Sequence, residues 1–166
     1  MNVNSDDYLV EHFPAADDSN EYWHWAFWTD ASKSVRCDIS SGGNADPLGT
    51  CWVMAGFESS TTYTLPAGTP PVNCGGGDAV PQLDGYALQL IIEANPAYQN
   101  ASILGCPADR AYLAPGIGAA TQVMPDHGVL TTPDFTCTVE AAVATCTYPA
   151  AHASVTLGLT AIGVTN

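Results

Sequence analysis

The stretch from Phe135 to Tyr148, FTCTVEAAVATCTY, indicates the fold of this chain more clearly than any other. If Cys137 lies opposite Cys146, its two halves pair as an antiparallel hairpin with alternating faces. The cysteines then occupy a non-hydrogen-bonded position, where adjacent strands come closest and a disulfide fits. The inward face is expected to carry Phe135, Cys137, Val139, Ala144, Cys146 and Tyr148, and the outward face Thr136, Thr138, Glu140, Val143, Thr145 and Thr147.

The same register leaves Ala141 and Ala142 as the two residues of the hairpin turn. The favoured two-residue turn, whose twist matches that of the strands, requires a positive φ at both positions. Alanine resists this conformation because of its Cβ atom. The sequence therefore predicts a looser turn between the two strands.

The composition is acidic, but charged residues of any kind are few. Seventeen acidic residues against three basic ones, in a chain of 166, give a formal charge of −14 with only 12% charged residues. This negative field opposes binding to nucleic acid or to anionic lipid headgroups, so neither is expected as a partner. No stretch reaches the ~20 apolar residues of a membrane span. No signal peptide is visible either, so a secreted form would have lost its signal peptide, or a lipid-anchoring cysteine, upstream.

Six cysteines in a chain so poor in charge indicate a disulfide framework made in an oxidising compartment. None forms a C-x-x-C motif and the histidines are not spaced with them as in a zinc finger, so no metal and no cofactor is predicted. The alternative is six buried free thiols in a cytosolic protein. Two hairpins suggest two bridges and leave one by exclusion, so the predicted pairs are Cys37–Cys51, Cys137–Cys146 and Cys74–Cys106.

Turn signals separate about eight short strand-like segments, which is typical of an all-β antiparallel sandwich or barrel, here stapled by disulfides. Residues 1–21 are acidic and are predicted to form a loosely held arm, followed by a single β-rich domain over residues 22–166. The Pro/Gly-rich residues 113–134 are expected to be loop. Tyr86 to Glu93 is expected to be a strand, with a short helix as the alternative, and Ala153 to Val164 is expected to be one last strand.

The most aromatic stretch, YWHWAFW, runs from Tyr22 to Trp28. As a strand it carries bulky side chains on both faces, which favours a central or covered strand. The alternative is an exposed platform for a sugar or a protein partner, because Trp and Tyr are enriched at binding surfaces. On that alternative the candidate binding residues are Tyr22, Trp23, His24, Trp25 and Trp28, whereas in a covered strand His24 is a packed histidine.

The common hydrolase signatures are missing from the sequence, which has no G-x-S-x-G elbow, no H-E-x-x-H and no S-x-x-K. No residue is therefore assigned a catalytic role. His152, just after the hairpin, is the best candidate for a pocket histidine; otherwise it ends a strand and bonds to a backbone carbonyl. A small secreted hydrolase, with an active site assembled only in three dimensions, stays open as the alternative function.

One layout of strand, cysteine, turn, cysteine and strand occurs twice, around Cys37 and Cys51 and around Cys137 and Cys146. Together with the ending AHASVTL, this layout resembles a family of small secreted or lipid-anchored proteins from mycobacteria and related actinobacteria that lack an assigned function. The resemblance implies an extracytoplasmic compartment, a β fold and a cell-envelope context. It carries over no catalytic residues.

We therefore expect a non-enzymatic protein that is secreted or lies on the extracytoplasmic face of the cell envelope. Its expected partner is another protein or a cell-wall glycan, and it is expected to act as an accessory module or as one subunit of a larger envelope assembly. The aromatic run and the missing catalytic motifs favour this function over the hydrolase.

Overall fold

A computed structural model describes the chain at residues 1–14, 21–42, 47–53, 62–64, 82–84, 89–93, 101–104, 122–159 and 161–165. Over these residues the chain forms an antiparallel β-sandwich of one six-stranded and one five-stranded sheet, with a separate two-stranded pair. The predicted all-β fold is confirmed, and the sandwich is the correct alternative because the described strands close no barrel.

The described residues contain thirteen strands, which are numbered here in chain order. They are β1 (Leu9–Phe13), β2 (Tyr22–Trp28), β3 (Val35–Gly42), β4 (Leu48–Val53), β5 (Thr62–Thr64), β6 (Gln82–Asp84), β7 (Gln89–Glu93), β8 (Ala101–Leu104), β9 (Val129–Thr131), β10 (Thr136–Glu140), β11 (Val143–Tyr148), β12 (Ala153–Leu157) and β13 (Ile162–Thr165). The first sheet has the order β1-β2-β3-β4-β7-β8, and the second is the meander β13-β12-β11-β10-β9.

More strands form than the sequence predicted, for two reasons. Three of them, β5, β6 and β9, have only three residues each, which is too short for an alternating pattern to stand out. The expected last strand over Ala153 to Val164 is also wrong, because the chain turns back after Gly158, whose amide donates to the Ala161 carbonyl at 2.8 Å. A Cβ at Gly158 would lie 2.7 Å from Val143 Cγ2, so the turn passes where only glycine fits.

The hairpin of β10 and β11 has the register predicted from the sequence. Cys137 pairs with Cys146 and Glu140 pairs with Val143, and the two cysteines form a disulfide with a Cα–Cα distance of 4.1 Å. The predicted inward side chains are buried, with Tyr148 half-buried at the open end, and the threonine face lies outward. This hairpin supplies the centre of the second sheet.

The hairpin turn is tight, so the expected looser turn is wrong. Ala141 and Ala142 both have a positive φ, of 49° and 62°. The Ala141 amide donates to Asp126 Oδ1 at 2.7 Å, and Asp126 comes from the segment that leads into β9. This charge-assisted hydrogen bond offsets part of the strain that two alanines accept in the left-handed region.

A second hairpin, β3 with β4, places a second disulfide in the first sheet. Cys37 pairs with Cys51, as predicted, and the Cα–Cα distance is again 4.1 Å. Cys51 Sγ lies 4.0 Å from Cys146 Sγ of the second sheet, so the two disulfides touch across the interior. The third predicted bridge, Cys74–Cys106, lies outside the described residues.

The two sheets also approach closely where Phe135 packs over Gly49 of β4. A Cβ built on Gly49 would lie 3.0 Å from Phe135 Cε1, which is tighter than an ordinary van der Waals contact. Around this point the core takes alternate residues from both sheets, as a half-buried antiparallel strand requires. The buried residues of the cluster are Tyr8, Trp25, Phe27, Val35, Cys37, Ile39, Cys51, Met124, Leu130, Phe135, Cys137, Val139, Ala144, Cys146, Ala153, Val155 and Leu157.

The first fourteen residues join the two sheets at one corner. Asn2 pairs in parallel with Val129 at the edge of the second sheet, a 3₁₀ turn at Ser5–Tyr8 buries Tyr8, and β1 then pairs with β2 in the first sheet. The expected loose arm over residues 1–21 therefore differs from the structure in this part, because apolar side chains among the acidic ones reach the core. The rest of that segment, up to β2, lies partly outside the described residues.

A second segment crosses between the sheets at the same corner. The Trp28 amide donates to the Gln122 carbonyl, and the Met124 amide donates to the Trp28 carbonyl, both at 2.9 Å. The chain then enters the second sheet as β9, within what was expected to be loop. Both crossing segments use backbone hydrogen bonds to protect strand edges that would otherwise be open for pairing.

We expect the Ala142→Gly variant to be more stable than the native chain by about 0.5–1 kcal/mol. Glycine removes the cost of a left-handed alanine, which exceeds the conformational freedom that glycine adds to the unfolded chain. Urea unfolding measures the difference. The control is Ala31→Gly at an exposed turn residue with negative φ, which should lose stability; equal losses in both variants would contradict the strained-turn argument.

We expect Gly49→Ala to destabilise the sandwich by about 1–3 kcal/mol, because the added methyl group must displace the buried Phe135 ring. The matched control is Gly163→Ala in β13, where a Cβ would meet Thr156 Cβ at an ordinary 3.6 Å. That variant should unfold within about 0.5 kcal/mol of the native chain. Chemical denaturation of both compares them directly, and equal effects would mean that the sheets separate freely at Gly49.

Candidate functional site

The aromatic run forms β2, and most of it belongs to the interior. Trp25 and Trp28 are each 5% exposed and Phe27 is fully buried, whereas Trp23 and His24 are half-buried. For Trp25 to Trp28, the prediction of a covered strand is therefore correct. These side chains do not form one exposed platform, and a binding role for the half-buried end of the strand stays a prediction.

Two aromatic pairs lie where β1 pairs with β2, one on each face of the sheet, because Tyr22 and Trp23 are neighbours in the strand. The His12 ring stacks on Trp23 at a centroid distance of 5.4 Å, and Phe13, which is 54% exposed, lies 6.1 Å from Tyr22. Burial raises the pKa of Tyr22, and the carboxylate of Glu11 adds to this effect. Tyr22 is therefore a neutral phenol over the physiological range.

A buried ionic cluster lies on the Tyr22 face of β2 and β3, opposite the face that carries Trp23 and Trp25. Asp38 accepts hydrogen bonds from Arg36 Nε at 2.6 Å and Arg36 Nη2 at 2.7 Å, and its Oδ1 lies 2.8 Å from His24 Nε2. The side-chain exposures are 2% for Arg36, 12% for Asp38 and 18% for His24. Because three donors surround one carboxylate, the cluster resembles a structural ion pair more than an acid–base pair.

Arg36 also lies over the Trp28 ring, with its Cζ atom 5.8 Å from the ring centroid, and Lys33 Nζ lies at the same distance. Arg36 Nη1 is buried without a hydrogen-bond partner among the described residues. Contact with the π face offsets part of the cost of burying that nitrogen. Within the described part of the chain no hydroxyl or thiol bonds to His24, which agrees with the packed-histidine interpretation.

The candidate binding site is a cleft at the open end of the β10–β11 hairpin. Its volume is about 350 Å³, which lies at the small end of the ligand sites of roughly 300–1,000 Å³ found in proteins. The cleft lies between the corner that precedes β10 and the corner that follows β11. The described lining residues are Thr131, Thr132, Pro133, Asp134, Phe135, Thr136, Tyr148, Pro149 and Ala150.

The wall before β10 is held rigidly by its own hydrogen bonds. Thr132 N–H donates to the Phe135 carbonyl at 2.9 Å, and Phe135 N–H donates to Thr132 Oγ1 at 3.1 Å. The Phe135 ring is buried below the cleft, and the Tyr148 ring packs on it at a centroid distance of 5.3 Å. The cleft is therefore formed before any ligand arrives, with one half-buried phenol, one half-buried carboxylate at Asp134 and several hydroxyl groups.

The electrostatics of the cleft favour an uncharged ligand. None of its described lining residues is basic, and Asp134 contributes a negative charge in a chain whose formal charge is −14. An anionic ligand would be repelled, whereas a polyhydroxylated neutral molecule finds both acceptors and donors. The mixture of an aromatic ring, prolines and hydroxyl groups is suited to the apolar and polar faces of a sugar.

The cleft was not predicted from the sequence, although the predicted hairpin places Phe135 and Tyr148 on the same face. A usable signal was present, because Pro133-Asp134 precedes the first strand of the hairpin and Pro149 follows the second, so two corners meet at its open end. His152, the predicted pocket histidine, does not line the cleft in the described residues. It ends the 3₁₀ turn Pro149–Ala151 with a φ of 56°, and its backbone amide donates to the Pro149 carbonyl.

Three buried sulfur atoms, from Cys37, Cys51 and Cys146, lie within 4.8 Å of one another. All three belong to disulfides, so they offer no thiolate to a metal ion in the oxidised protein. Within the described residues no helix has the length and apolarity needed to cross a lipid bilayer. The chain matches no protein-family model and shows no significant similarity to a curated protein or to a solved structure.

We expect Asp38→Asn to destabilise the protein by about 3 kcal/mol, because it leaves the buried Arg36 guanidinium without a compensating charge. The control is Glu21→Gln, which breaks a second imidazole–carboxylate pair, His12 with Glu21, at the same 2.8 Å but with both side chains 37% exposed. That variant should lose less than about 1 kcal/mol. Urea unfolding compares the two, and equal losses would show that burial does not govern the ionic cluster.

Proposed function

We propose that this protein is a non-enzymatic, extracytoplasmic binding module that holds a neutral glycan in the cleft between Asp134 and Tyr148. The observation that carries the proposal is the preformed cleft itself, which combines an aromatic ring, a carboxylate and hydroxyl groups without a basic residue in its described lining. Sugars are bound by such combinations because rings cover their C–H faces while polar side chains bond to their hydroxyl groups.

The compartment is inferred from the covalent chemistry of the core. Two disulfides are buried among the described residues, and such bridges form and persist in oxidising environments. The resemblance to secreted actinobacterial envelope proteins supports the same compartment. A surface rich in threonine and poor in charge also suits the exterior of a cell, where glycans are the abundant neutral polymers.

A binding role is favoured over the hydrolase by the number of carboxylates at the cleft. Glycoside hydrolysis by the common mechanisms requires two facing carboxyl groups, one on each side of the bond that is cleaved. Asp134 is the one carboxylate in the described lining of the cleft. The imidazole–carboxylate pair of His24 and Asp38 lies elsewhere, buried in the first sheet and occupied by Arg36.

The proposed accessory role follows from the size and shape of the site. A shallow cleft of this volume contacts one or two sugar units, which gives weak binding unless several sites act together. A module of this kind is useful when it tethers a larger assembly to a polymer that repeats the same unit. The exposed Phe13, which lies against Tyr22 on the face opposite Trp23, offers a separate surface for a protein partner.

The test is binding to an array of neutral and anionic oligosaccharides, followed by calorimetric titration with the best ligand. We expect neutral ligands to dominate, and we expect Asp134→Asn to weaken their binding by about tenfold, the loss of one charge-assisted hydrogen bond. Tyr148→Phe, which keeps the ring, should weaken binding less. Both variants should retain the native far-ultraviolet circular dichroism spectrum and cooperative thermal unfolding.

The matched control is Glu140→Gln, which removes one exposed carboxylate from the opposite end of the same hairpin and should leave affinity unchanged. Binding that responds equally to Asp134→Asn and Glu140→Gln would place the ligand outside the cleft. If no neutral oligosaccharide on the array binds, and a protein from the cell envelope co-purifies in stoichiometric amount, the partner is a protein and not a glycan.

A further inference from the structure

We propose that the two described disulfides form an exchange pair. When either bridge is reduced, Cys51 and Cys146 join into a new disulfide that links the two sheets. This inference is independent of the glycan-binding function, because it concerns the centre of the sandwich rather than the cleft.

The geometry that supports exchange is the contact between the two bridges. Cys51 Sγ and Cys146 Sγ lie 4.0 Å apart, which is van der Waals contact for two sulfur atoms. Thiol–disulfide exchange begins when a thiolate meets a disulfide sulfur, so a thiol released at either position already touches its target. Cys37 Sγ also lies within 4.8 Å of both atoms, whereas Cys137 Sγ does not belong to this group of three.

The reaction balances with one dithiol reductant. The dithiol transfers two electrons and two protons to the Cys37–Cys51 bridge, and becomes a disulfide itself. The Cys51 thiol then loses its proton, and the thiolate attacks Cys146 Sγ and expels the Cys137 thiolate, which takes up a proton. The products are a Cys51–Cys146 disulfide and free thiols at Cys37 and Cys137, with no further electrons consumed.

Burial makes this internal step competitive with complete reduction. The four cysteines are at most 1% exposed, so an external dithiol reaches a bridge only when the sandwich opens. The internal thiol is packed against the second bridge from the start, so its sulfur atom has only to close from 4.0 Å to bonding distance. Exchange also changes what the disulfide does, since each native bridge joins neighbouring strands of one sheet whereas the new bridge joins one sheet to the other.

The chain provides a simple assay for this change. Its three basic residues are Lys33, Arg36 and Arg110, so trypsin separates a fragment of residues 37–110 from a fragment of residues 111–166. Both described native bridges lie within one fragment or the other, and the new bridge joins the two. When the protein is denatured in the presence of N-ethylmaleimide, which blocks the buried thiols as they become exposed, a mass spectrum of the unreduced digest therefore reports exchange directly.

The variant to test is Cys137→Ala, which leaves a free thiol at Cys146 in contact with Cys51. We expect the separate 111–166 fragment to disappear, the two fragments to be joined through Cys51 and Cys146, and Cys37 to be alkylated. The matched control is Cys146→Ala, which removes the same bridge but leaves the thiol at Cys137. Its fragments should stay separate, with Cys137 alkylated.

Two results in these variants would overturn the proposal: separate fragments from Cys137→Ala, or fragments joined to the same extent in both variants. The native protein provides a second measurement if Cys137→Ala does not fold. Limited treatment with dithiothreitol should yield joined fragments among the partly reduced molecules, and fragmentation of the joined species should identify Cys51 and Cys146. Separate fragments at every stage of reduction, or fragments joined through Cys37, Cys74 or Cys106, would rule out the exchange pair.

Discussion

The contact between Cys51 and Cys146 is the constraint on which the sandwich depends. Each disulfide needs its two strands directly opposite one another, which fixes the register of one hairpin in each sheet. The two bridges then meet in the middle, so each hairpin also fixes the position of the other. Phe135 packs over Gly49 beside this contact, because the short distance between the sheets leaves no room for a side chain there. The strands of both sheets thus pack around these two contacting disulfides.

A feature of the fold was predictable from the sequence when the residues that determine it lie close together in the chain. The hairpin register was predictable because alternation and two cysteines agree within fourteen residues. Its tight turn was not, because the stabilising acceptor, Asp126, lies outside the hairpin. The strand β9 was missed since three residues carry too little pattern. The buried Arg36 was missed because charged side chains are normally exposed, although Arg36 and Asp38, two residues apart in a strand, share one face.

The candidate site illustrates the same limit. The aromatic run was a candidate binding surface because Trp and Tyr are enriched at interfaces. In the structure most of β2 is buried, in the core or against the Arg36–Asp38 ion pair. The cleft is made instead of residues that are individually ordinary: threonines, two prolines, one aspartate and one tyrosine. Their chemistry becomes specific only when two corners meet above the buried Phe135 ring. In β-sandwiches, binding residues commonly lie on the loops and corners that a rigid scaffold of strands holds in place.

The pairing of Asn2 with Val129 has a consequence for how the protein folds. These residues are separated by most of the chain, so the edge of the second sheet is completed only by a segment that is synthesised long before it. Such non-local pairing gives a high contact order, and chains of this kind fold slowly because loop closure must precede the stabilising contacts. Until the chain closes, the β9 edge offers unpaired backbone groups to other molecules.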